Sequence, residues 1–401
     1  MKKYPAIFLL LSMCTLTASA QKFDLKGKIQ GQDSGYLYIY YQGVDGKGIS
    51  DSSAIKNGTF EFKGEIKEPT MAYFKGSVKL PSDDDPNATS FFLEPTLMQI
   101  TLTAGNFKNA VITGSKTQDE NAALEKRKEG LNNEMKPLDQ AFDDANKKYI
   151  QAVKDKADDA VIKDLKEKAA AIHDKFDPYR VRSAAIDYKY FADYPTSYLT
   201  AWQLRFHVST LPLDSLQMFY NNLGPVVQQS SSGRYIAGEI VKLRAGSPGS
   251  IAADFTANEL NGNPLSLSSL KGKVVILDFW ASWCVPCRHS NPHMIALYKK
   301  YHDEGLEIIG VASDDGHADA WEKAVAEDNV GIWDNVLNGF DLAKLQHGEK
   351  NDKEIGSKYG IHSLPTKIVI DRNGKILGRY DDNPGGKEED MDKLLASVFN
   401  K

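Results

Sequence analysis

The chain has 401 residues, a length that exceeds one ordinary domain core and predicts two or three folded units. Hydrophobic residues make up 41% and charged residues 26%, proportions typical of soluble globular proteins rather than of small disulfide-stapled domains. The formal net charge of -5 at pH 7 argues against nucleic acid as a partner.

The first twenty residues are typical of a secretory signal peptide. Two lysines precede an apolar run over residues 6–16, and the small residues 18–20 end the segment. The run is too short to cross a bilayer, so we expect cleavage after Ala20 and no stable membrane insertion afterwards. Lipoprotein anchoring at Cys14 is the alternative, but Met13 stands where such leaders usually have a small residue. The segment predicts export to the periplasm or cell envelope.

Residues 21–115 alternate apolar and polar side chains between turn signals, which is the pattern of half-buried strands. Asn57-Gly58 separates two such runs and predicts a hairpin. The strand candidates are residues 36–40, 59–62, 71–74, 91–93 and 98–102. We therefore expect a small antiparallel sandwich or barrel without catalytic motifs. Its tyrosines could line a binding face, although packing within the sheet also explains them.

Residues 116–246 change to helical spacing. Apolar residues recur at three-, four- and seven-residue steps from Leu131 to Val153, and Pro137 is expected to start or kink a helix. Residues 194–197 predict a boundary before a second helical group. The mixed charges in this region fit a solvated helix face. We interpret the region as a helical spacer or docking region.

The glycines and proline of residues 246–249 predict the start of a further domain, residues 247–401, in which strands and helices alternate. The expected elements are a hairpin around residues 261–263, a strand at 274–280, a helix at 284–301, a strand at 306–311, a helix at 321–328, a hairpin of 367–370 with 375–377, and a helix at 391–399. This order, a right-handed βαβ unit followed by ββα, predicts a mixed α/β sheet with flanking helices.

Two cysteines, Cys284 and Cys287, remain once the leader is removed. Closing so short a loop constrains the unfolded chain little, so a structural staple explains the pair poorly. A helix that begins at Cys284 would expose its sulfur to free backbone amides, which favour the thiolate. Cys284 is therefore the predicted nucleophile. Cys287, one turn further along, is the predicted resolving thiol of a redox-active disulfide.

The segment around this pair, Asp278-Phe279-Trp280-Ala281-Ser282-Trp283-Cys284-Val285-Pro286-Cys287, resembles the active-site segment of the thioredoxin superfamily. It is similar in particular to the exported TlpA/ResA-like branch, as are Ser247-Pro248, Leu270-Lys271-Gly272-Lys273, Arg288 and Pro292. The resemblance implies a thioredoxin fold, thiol-disulfide exchange with protein clients, a membrane electron-donor protein, and no metal or organic cofactor. More weakly, the N-terminal sheet resembles a bacterial domain of unknown function found ahead of such modules.

The same resemblance implies further site residues. Asp278, inside an apolar strand, matches thioredoxin's buried carboxylate, which moves a proton to or from the resolving thiol; capping a loop amide is its alternative role. Leu364-Pro365-Thr366 matches the loop whose cis proline faces the cysteines and binds the client strand. Trp283 and Pro286 are also expected to contact clients. Ser290 departs from the pattern, because the branch usually has glutamate there.

A metal site is a rival interpretation of the cysteine pair. It would add His289 and His293 as ligands, but on a helix His289 lies about 200° around the axis from Cys287. Haem attachment would need histidine where the chain has Arg288. We therefore expect no metal at the pair.

Two other functions stay open. A thiol peroxidase of the AhpC/TSA type shares the fold, but its pocket normally has proline and threonine where this chain has Leu277 and Ala281. A binding protein with an auxiliary thioredoxin domain is the second alternative. Leu364 resembles the aliphatic residue of reducing family members, so reduction or isomerisation of client disulfides is the predicted direction.

Overall fold

The computed structural model of the protein describes residues 20–76, 85–347, 349–381 and 388–399. The expected signal peptide, except for Ala20, lies outside the described residues, as does Cys14. The chain divides into two compact units, one ending at Arg127 and the other beginning at Lys128. The expected domain boundaries at residues 20, 115 and 246 stay predictions.

The first unit is built on one eight-stranded sheet. Its strands are β1 (Gln21–Gln30), β2 (Ser34–Gln42), β3 (Gly48–Lys56), β4 (Thr59–Ile66), β5 (Thr70–Lys75), β6 (Ala88–Leu93), β7 (Leu97–Thr103) and β8 (Val111–Thr113). They lie in the order β6-β5-β2-β3-β4-β1-β7-β8. The neighbouring strands pair antiparallel except β1 and β7, which are parallel.

The predicted strands and hairpin of this unit are confirmed. Asn57 and Gly58 both have positive φ, 51° and 69°, as a tight turn between twisted strands requires. Alternate residues of the strands point into one core, which includes Phe23, Leu25 and Phe74. The unit is therefore a β domain, with one parallel pair that the sequence did not predict.

Helices follow the sheet, as predicted. They are α1 (Lys116–Lys154), α2 (Asp159–His173), α3 (Asp177–Asp193), α4 (Tyr198–Leu204), α5 (Leu213–Asn222), α6 (Pro225–Gln228) and α7 (Ser231–Ala245). Pro137 lies inside α1 and does not start it. The predicted break at residues 194–197 separates α3 from α4, where the Ser197 hydroxyl accepts the Leu199 N–H. None of the helices within the described ranges combines the length and the apolar content needed to cross a membrane.

The remaining elements form the expected thioredoxin fold. They are β9 (Thr256–Asn258), β10 (Pro264–Ser266), β11 (Val274–Trp280), α8 (Val285–Tyr301), β12 (Leu306–Ala312), α9 (Ala318–Glu327), β13 (Asp334–Leu337), α10 (Leu342–Gln346), α11 (Ile355–Lys358), β14 (Thr366–Ile370), β15 (Ile376–Asp381) and α12 (Glu388–Phe399). The five-stranded sheet has the order β13-β12-β11-β14-β15. β11, β12 and β13 are parallel, and β14 and β15 are antiparallel to their neighbours.

Central strand β11 is buried along its whole length and separates two cores. Val274, Ile276 and Trp280 face the core that contains α8, both cysteines and α12. The alternate residues, such as Leu277 and Phe279, face the core on the other side of the sheet. Asp278 lies two residues from both Ile276 and Trp280 along the strand, so its side chain is on the same face of the sheet, the face that carries the cysteines.

A carboxyl group at the edge of this sheet, that of Asp334, makes the stability of the fold depend on pH. Glu259 forms a bridge to Val336 of β13 and interacts with Asp334 at the start of that strand. The pKa of Asp334 is raised from 3.8 to about 6, mainly because the group is partly buried and to a smaller extent because Glu259 lies beside it. A raised pKa favours the protonated form in the fold. The stabilisation is therefore complete below about pH 4 and is lost as the pH rises through about 6.

Asp334→Asn is expected to raise the free energy of unfolding at pH 8 by about 1 kcal/mol, because it removes a carboxylate whose charge the fold disfavours. The raised pKa alone would correspond to a larger gain, but solvent screens the charge of a half-exposed group. At pH 4 the native carboxyl is largely protonated, and variant and wild type should be nearly equally stable. Urea unfolding at both pH values measures the two differences. The same stability change at both pH values would contradict the assignment to Asp334.

Candidate redox site

The cysteine pair lies where β11 passes into α8. Cys284 is the residue that caps α8, and its sulfur accepts the backbone N–H of Cys287 at 3.3 Å. Pro286 lies in the first turn of the helix. Backbone N–H groups in this turn have no acceptor within the helix, so a proline, which has no N–H, costs no helical hydrogen bond there. The predicted position of Cys284 at a helix start is confirmed.

The two sulfurs form a disulfide, and the Cα atoms of Cys284 and Cys287 lie 5.3 Å apart, a usual separation for such a bond. Cys284 is 5% exposed and Cys287 is 1% exposed. Cys284 is therefore the outer residue of the pair, and Cys287 lies within the core. Spacing on one helical turn brings the two sulfurs within bonding reach, as the sequence predicted.

A buried carboxylate holds the loop between β11 and α8. Asp314 is 1% exposed and accepts hydrogen bonds from the Ser282 backbone N–H at 2.9 Å and from the Ser282 hydroxyl at 2.6 Å. This contact fixes the chain two residues before Cys284. The sequence did not identify Asp314, because its partner lies 32 residues away.

A second set of contacts ties α8 to the end of α9. Arg288 donates to both Asp328 carboxylate oxygens, at 2.8 and 2.6 Å, and to Glu327 at 2.9 Å. Asn291 also donates to Asp328, at 2.8 Å. Hydrogen bonds with Asp328, partly opposed by burial, raise the pKa of Arg288 above its ordinary value. Arg288 thus anchors the helix that carries the pair.

The two tryptophans of the motif have different environments. Trp280 is 3% exposed and packs in the core with both cysteines, whereas Trp283 is 55% exposed. Trp283, the residue before Cys284, borders an open groove of about 980 Å³. Other residues lining this groove are Phe279, Asp315, Phe340, Leu342 and Leu364. Its exposed aromatic and aliphatic side chains can contact an extended peptide.

The Leu364-Pro365 peptide bond is cis, as the resemblance implied. Leu364 lies on the wall of the groove that also contains Trp283. Thr366 is fully buried, and its hydroxyl donates to the Ser363 carbonyl at 2.8 Å. Its side chain therefore holds the loop from inside, and a role for Thr366 in client binding stays a prediction.

Asp278 is buried, as predicted, and its carboxylate is paired with a basic side chain that the sequence did not identify. The register between β11 and β14 places Asp278 directly opposite Lys367. The Lys367 ammonium lies 3.8 Å from a carboxylate oxygen of Asp278. The side chains are 5% and 3% exposed, respectively. An ion pair therefore compensates the burial of this carboxylate. The alternative role, capping of a loop amide, stays untested.

Lys367 also reaches the position where the family usually has glutamate. Its ammonium donates to the Ser290 hydroxyl at 3.1 Å, and that hydroxyl donates to the Cys287 carbonyl at 3.0 Å. A continuous polar chain thus runs from Asp278 through Lys367 and Ser290 to the backbone of Cys287. A lysine inside the apolar run 366–370 is the sequence signal that could have revealed this chain.

The histidines of the metal interpretation lie along α8 beyond the pair. His289 is exposed, and His293 contacts Asp392 of α12, with 3.1 Å between Nε2 and a carboxylate oxygen. In the part of the chain that the structure describes, no three His, Cys, Asp or Glu side chains are arranged to hold a metal ion.

Two family models match the chain. The model of a domain of unknown function, DUF4369, matches residues 23–121. The model of the AhpC/TSA family matches residues 248–379. The first range covers the eight-stranded sheet except the first two residues of β1, and the second covers most of the thioredoxin fold.

Curated proteins similar to this chain match the second range. Over 129 residues the chain is 36% identical to the thiol-disulfide oxidoreductase ResA of Bacillus thuringiensis (strain Al Hakam), covering 32% of this chain and 66% of that protein, just under two thirds. Over 150 residues it is 32% identical to ResA of Geobacillus kaustophilus (strain HTA426), covering 37% of this chain and 77% of that protein.

Solved structures similar to this chain include two from Bacteroides. One is the thioredoxin domain of a thiol-disulfide oxidoreductase from Bacteroides vulgatus, with 30% identity, a TM-score of 0.31, and coverage of 37% of this chain and 98% of that chain. The other is a thiol-disulfide oxidoreductase from Bacteroides fragilis, with 30% identity, a TM-score of 0.30, and coverage of 36% and 99%.

Proposed function

The chain belongs to the ResA-like family of thiol-disulfide oxidoreductases, and we propose that it exchanges electrons with disulfides in protein clients through Cys284 and Cys287. The observation that carries the proposal is the disulfide between these residues at the start of α8, with the Cys284 sulfur capping the helix. The ResA match covers about a third of this chain, so the activity is inferred from the site itself.

The mechanism has two exchange steps. The Cys284 thiolate attacks one sulfur of a client disulfide, forms a mixed disulfide with it, and releases the other client sulfur as a thiolate. Cys287 then loses its proton and attacks the Cys284 sulfur. This step forms the Cys284–Cys287 disulfide and releases the second client thiolate. Two electrons pass to the client, whose two thiolates take up protons.

Asp278 is the proposed acceptor of the proton that Cys287 loses. It is buried on the face of the sheet that carries the cysteines, where water is scarce and a general base has most effect. Lys367 lies beside it and extends the polar chain to Ser290. In this proposal the buried ion pair, rather than a glutamate at position 290, supports proton transfer.

The client is proposed to bind along the cis-proline loop. The backbone of Leu364 would pair with an extended client segment, while Pro365 leaves the sulfurs accessible. Trp283 and Pro286 would contact the residues that flank the client cysteine. The groove beside Trp283 has room for such a segment.

The proposed setting is the periplasm or cell envelope. The leader at residues 1–20 supports export, and the aliphatic Leu364 supports reduction or isomerisation rather than strong oxidation. A reductase there needs electrons, which a membrane electron-donor protein would supply by reducing the Cys284–Cys287 disulfide. The chemistry requires no metal or organic cofactor.

The test is to trap clients with Cys287→Ser in cells. Without the resolving thiol, proteins attacked by Cys284 should accumulate as mixed disulfides that a reductant releases. The double variant Cys284→Ser, Cys287→Ser is the matched control and should trap none. If the folded single variant accumulates no more covalent partners than the double variant, the proposal loses its main support.

Thiol peroxidase activity is the second candidate, because the AhpC/TSA family model matches residues 248–379. Both positions where a peroxidase normally has its proline and threonine, Leu277 and Ala281, are fully buried here. A peroxide-consumption assay with the reduced protein separates the two functions.

A further inference from the structure

We propose that the helices between residues 128 and 246 are part of the redox site, in which Glu239 and Lys166 are positioning residues. Each holds one of the two loops that flank the cysteine pair. The inference rests on the proposed function and deepens it, because it assigns a role in client binding to a region without a known one. These helices lie in the same compact unit as the thioredoxin fold.

Glu239 of α7 holds the cis-proline loop. Its side chain is 6% exposed, and one carboxylate oxygen lies 3.0 Å from Nε2 of His362, two residues before Leu364. Lys242, one turn along α7, donates to the other oxygen at 2.8 Å. Burial raises the pKa of Glu239, but His362 and Lys242 outweigh burial and lower it overall. A buried, ionised carboxylate thus connects α7 to the loop.

The backbone around His362 is packed directly on α7. Gly360 has φ +59°, and a Cβ there would lie 2.8 Å from the backbone nitrogen of Leu243. A Cβ on Gly246 would lie 2.0 Å from the Tyr359 carbonyl oxygen. Side chains at either glycine would push loop and helix apart. The loop is therefore seated against α7 over several residues, and Glu239 acts within an extensive contact.

Lys166 of α2 holds the other loop. Its ammonium donates to the carbonyl of Trp283 at 2.7 Å, and Trp283 directly precedes Cys284. Burial, together with the charge of Arg288, lowers the pKa of Lys166. Asp159, at the start of α2, pairs with Lys323 of α9 at 3.0 Å. Two contacts therefore hold α2 against the side of the thioredoxin fold that carries the cysteines.

These contacts matter for a protein client more than for a small disulfide. A client segment must fit between Trp283 and Leu364, so both loops have to keep their spacing. A small disulfide needs only to reach the Cys284 sulfur. Loss of either contact should therefore raise KM for a protein client, while kcat and the reaction with a small disulfide change little.

The experiment compares insulin with 5,5′-dithiobis(2-nitrobenzoate) as substrates of the full mature chain. The protein is first reduced with dithiothreitol, which is then removed, so that the Cys284 and Cys287 thiols supply the two electrons of each single turnover. KM is then the substrate concentration at half the maximal single-turnover rate, and kcat is that maximal rate. Glu239→Gln and Lys166→Met should each raise KM for insulin about three- to tenfold, the factor that corresponds to the net contribution of one typical intramolecular hydrogen bond. With the small disulfide, kcat/KM should stay within about twofold. Glu167→Gln and Lys163→Met, on the same face of α2, are the matched controls and should behave as wild type. Thermal unfolding verifies that each variant is folded.

A double-mutant cycle isolates the Glu239–His362 contact. If the contact is what matters, His362→Gln and the double variant should raise KM for insulin no further than Glu239→Gln alone. Additive effects, or an unchanged KM in both Glu239→Gln and Lys166→Met, would overturn the inference while the proposed function stands. A wild-type protein inactive toward both substrates would overturn both.

Discussion

Cys284→Ser is expected to lower the rate of insulin reduction by the pre-reduced protein at least about a thousandfold, because the serine hydroxyl is neither ionised at neutral pH nor able to form a disulfide. Single-turnover mixing of reduced protein with insulin measures the rate. Cys287→Ser should still react once through Cys284 but fail to release the client. Retention of more than about a tenth of the rate by Cys284→Ser would contradict its assignment as nucleophile.

The asymmetry between the two cysteines follows from where the helix begins. The Cys284 sulfur is the capping acceptor for the Cys287 N–H, so a negative charge on it is stabilised by the helix start. Cys287 lies inside the first turn and is 1% exposed, out of direct reach of a client. This difference in position and exposure supports the proposed roles of Cys284 as the attacking sulfur and Cys287 as the resolving sulfur, although both belong to one turn of helix.

Local patterns predicted most of the fold. Alternation identified five strands of the N-terminal sheet, and the apolar run at residues 274–280 identified the central strand of the C-terminal sheet. Strand β13 was missed because its four residues, Asp334–Leu337, show neither alternation nor an apolar run. Its place at the sheet edge is determined by pairing with β12.

The candidate site was predicted where its residues are adjacent in sequence and missed where they are distant. The cysteine pair and the cis-proline loop are short motifs that can be recognised by comparison with a known family. The contact between Lys166 and Trp283 joins residues 117 positions apart, and no local signal identifies Lys166 as the partner of the motif residue Trp283. Lys367 lies beside Asp278 only because β11 and β14 pair in one register. Such contacts come from tertiary structure.

Lys367→Met is expected to have the largest effect on stability. The change keeps the length of the side chain but removes the ammonium beside Asp278, where both side chains are almost fully buried. Breaking a buried ion pair at one partner destabilises by about 3 kcal/mol or more, because the remaining charge loses its compensation. The loss should be larger at pH 8 than at pH 5, since the carboxyl of the variant can take up a proton at the lower pH.

Urea unfolding of three variants at both pH values separates the ion pair from the rest of the polar chain. Ser290→Ala removes only the hydroxyl that accepts from Lys367, so its expected effect is about 1 kcal/mol. Asp278→Asn combined with Lys367→Met leaves no buried charge at this position and should recover much of the stability lost in Lys367→Met. If the double variant is no more stable than Lys367→Met, the lysine stabilises the protein by packing rather than by its charge. Slower release of trapped client by this double variant than by Lys367→Met would identify Asp278 as the group that takes the Cys287 proton, since the two variants differ only at position 278 and a neutral amide cannot take the proton.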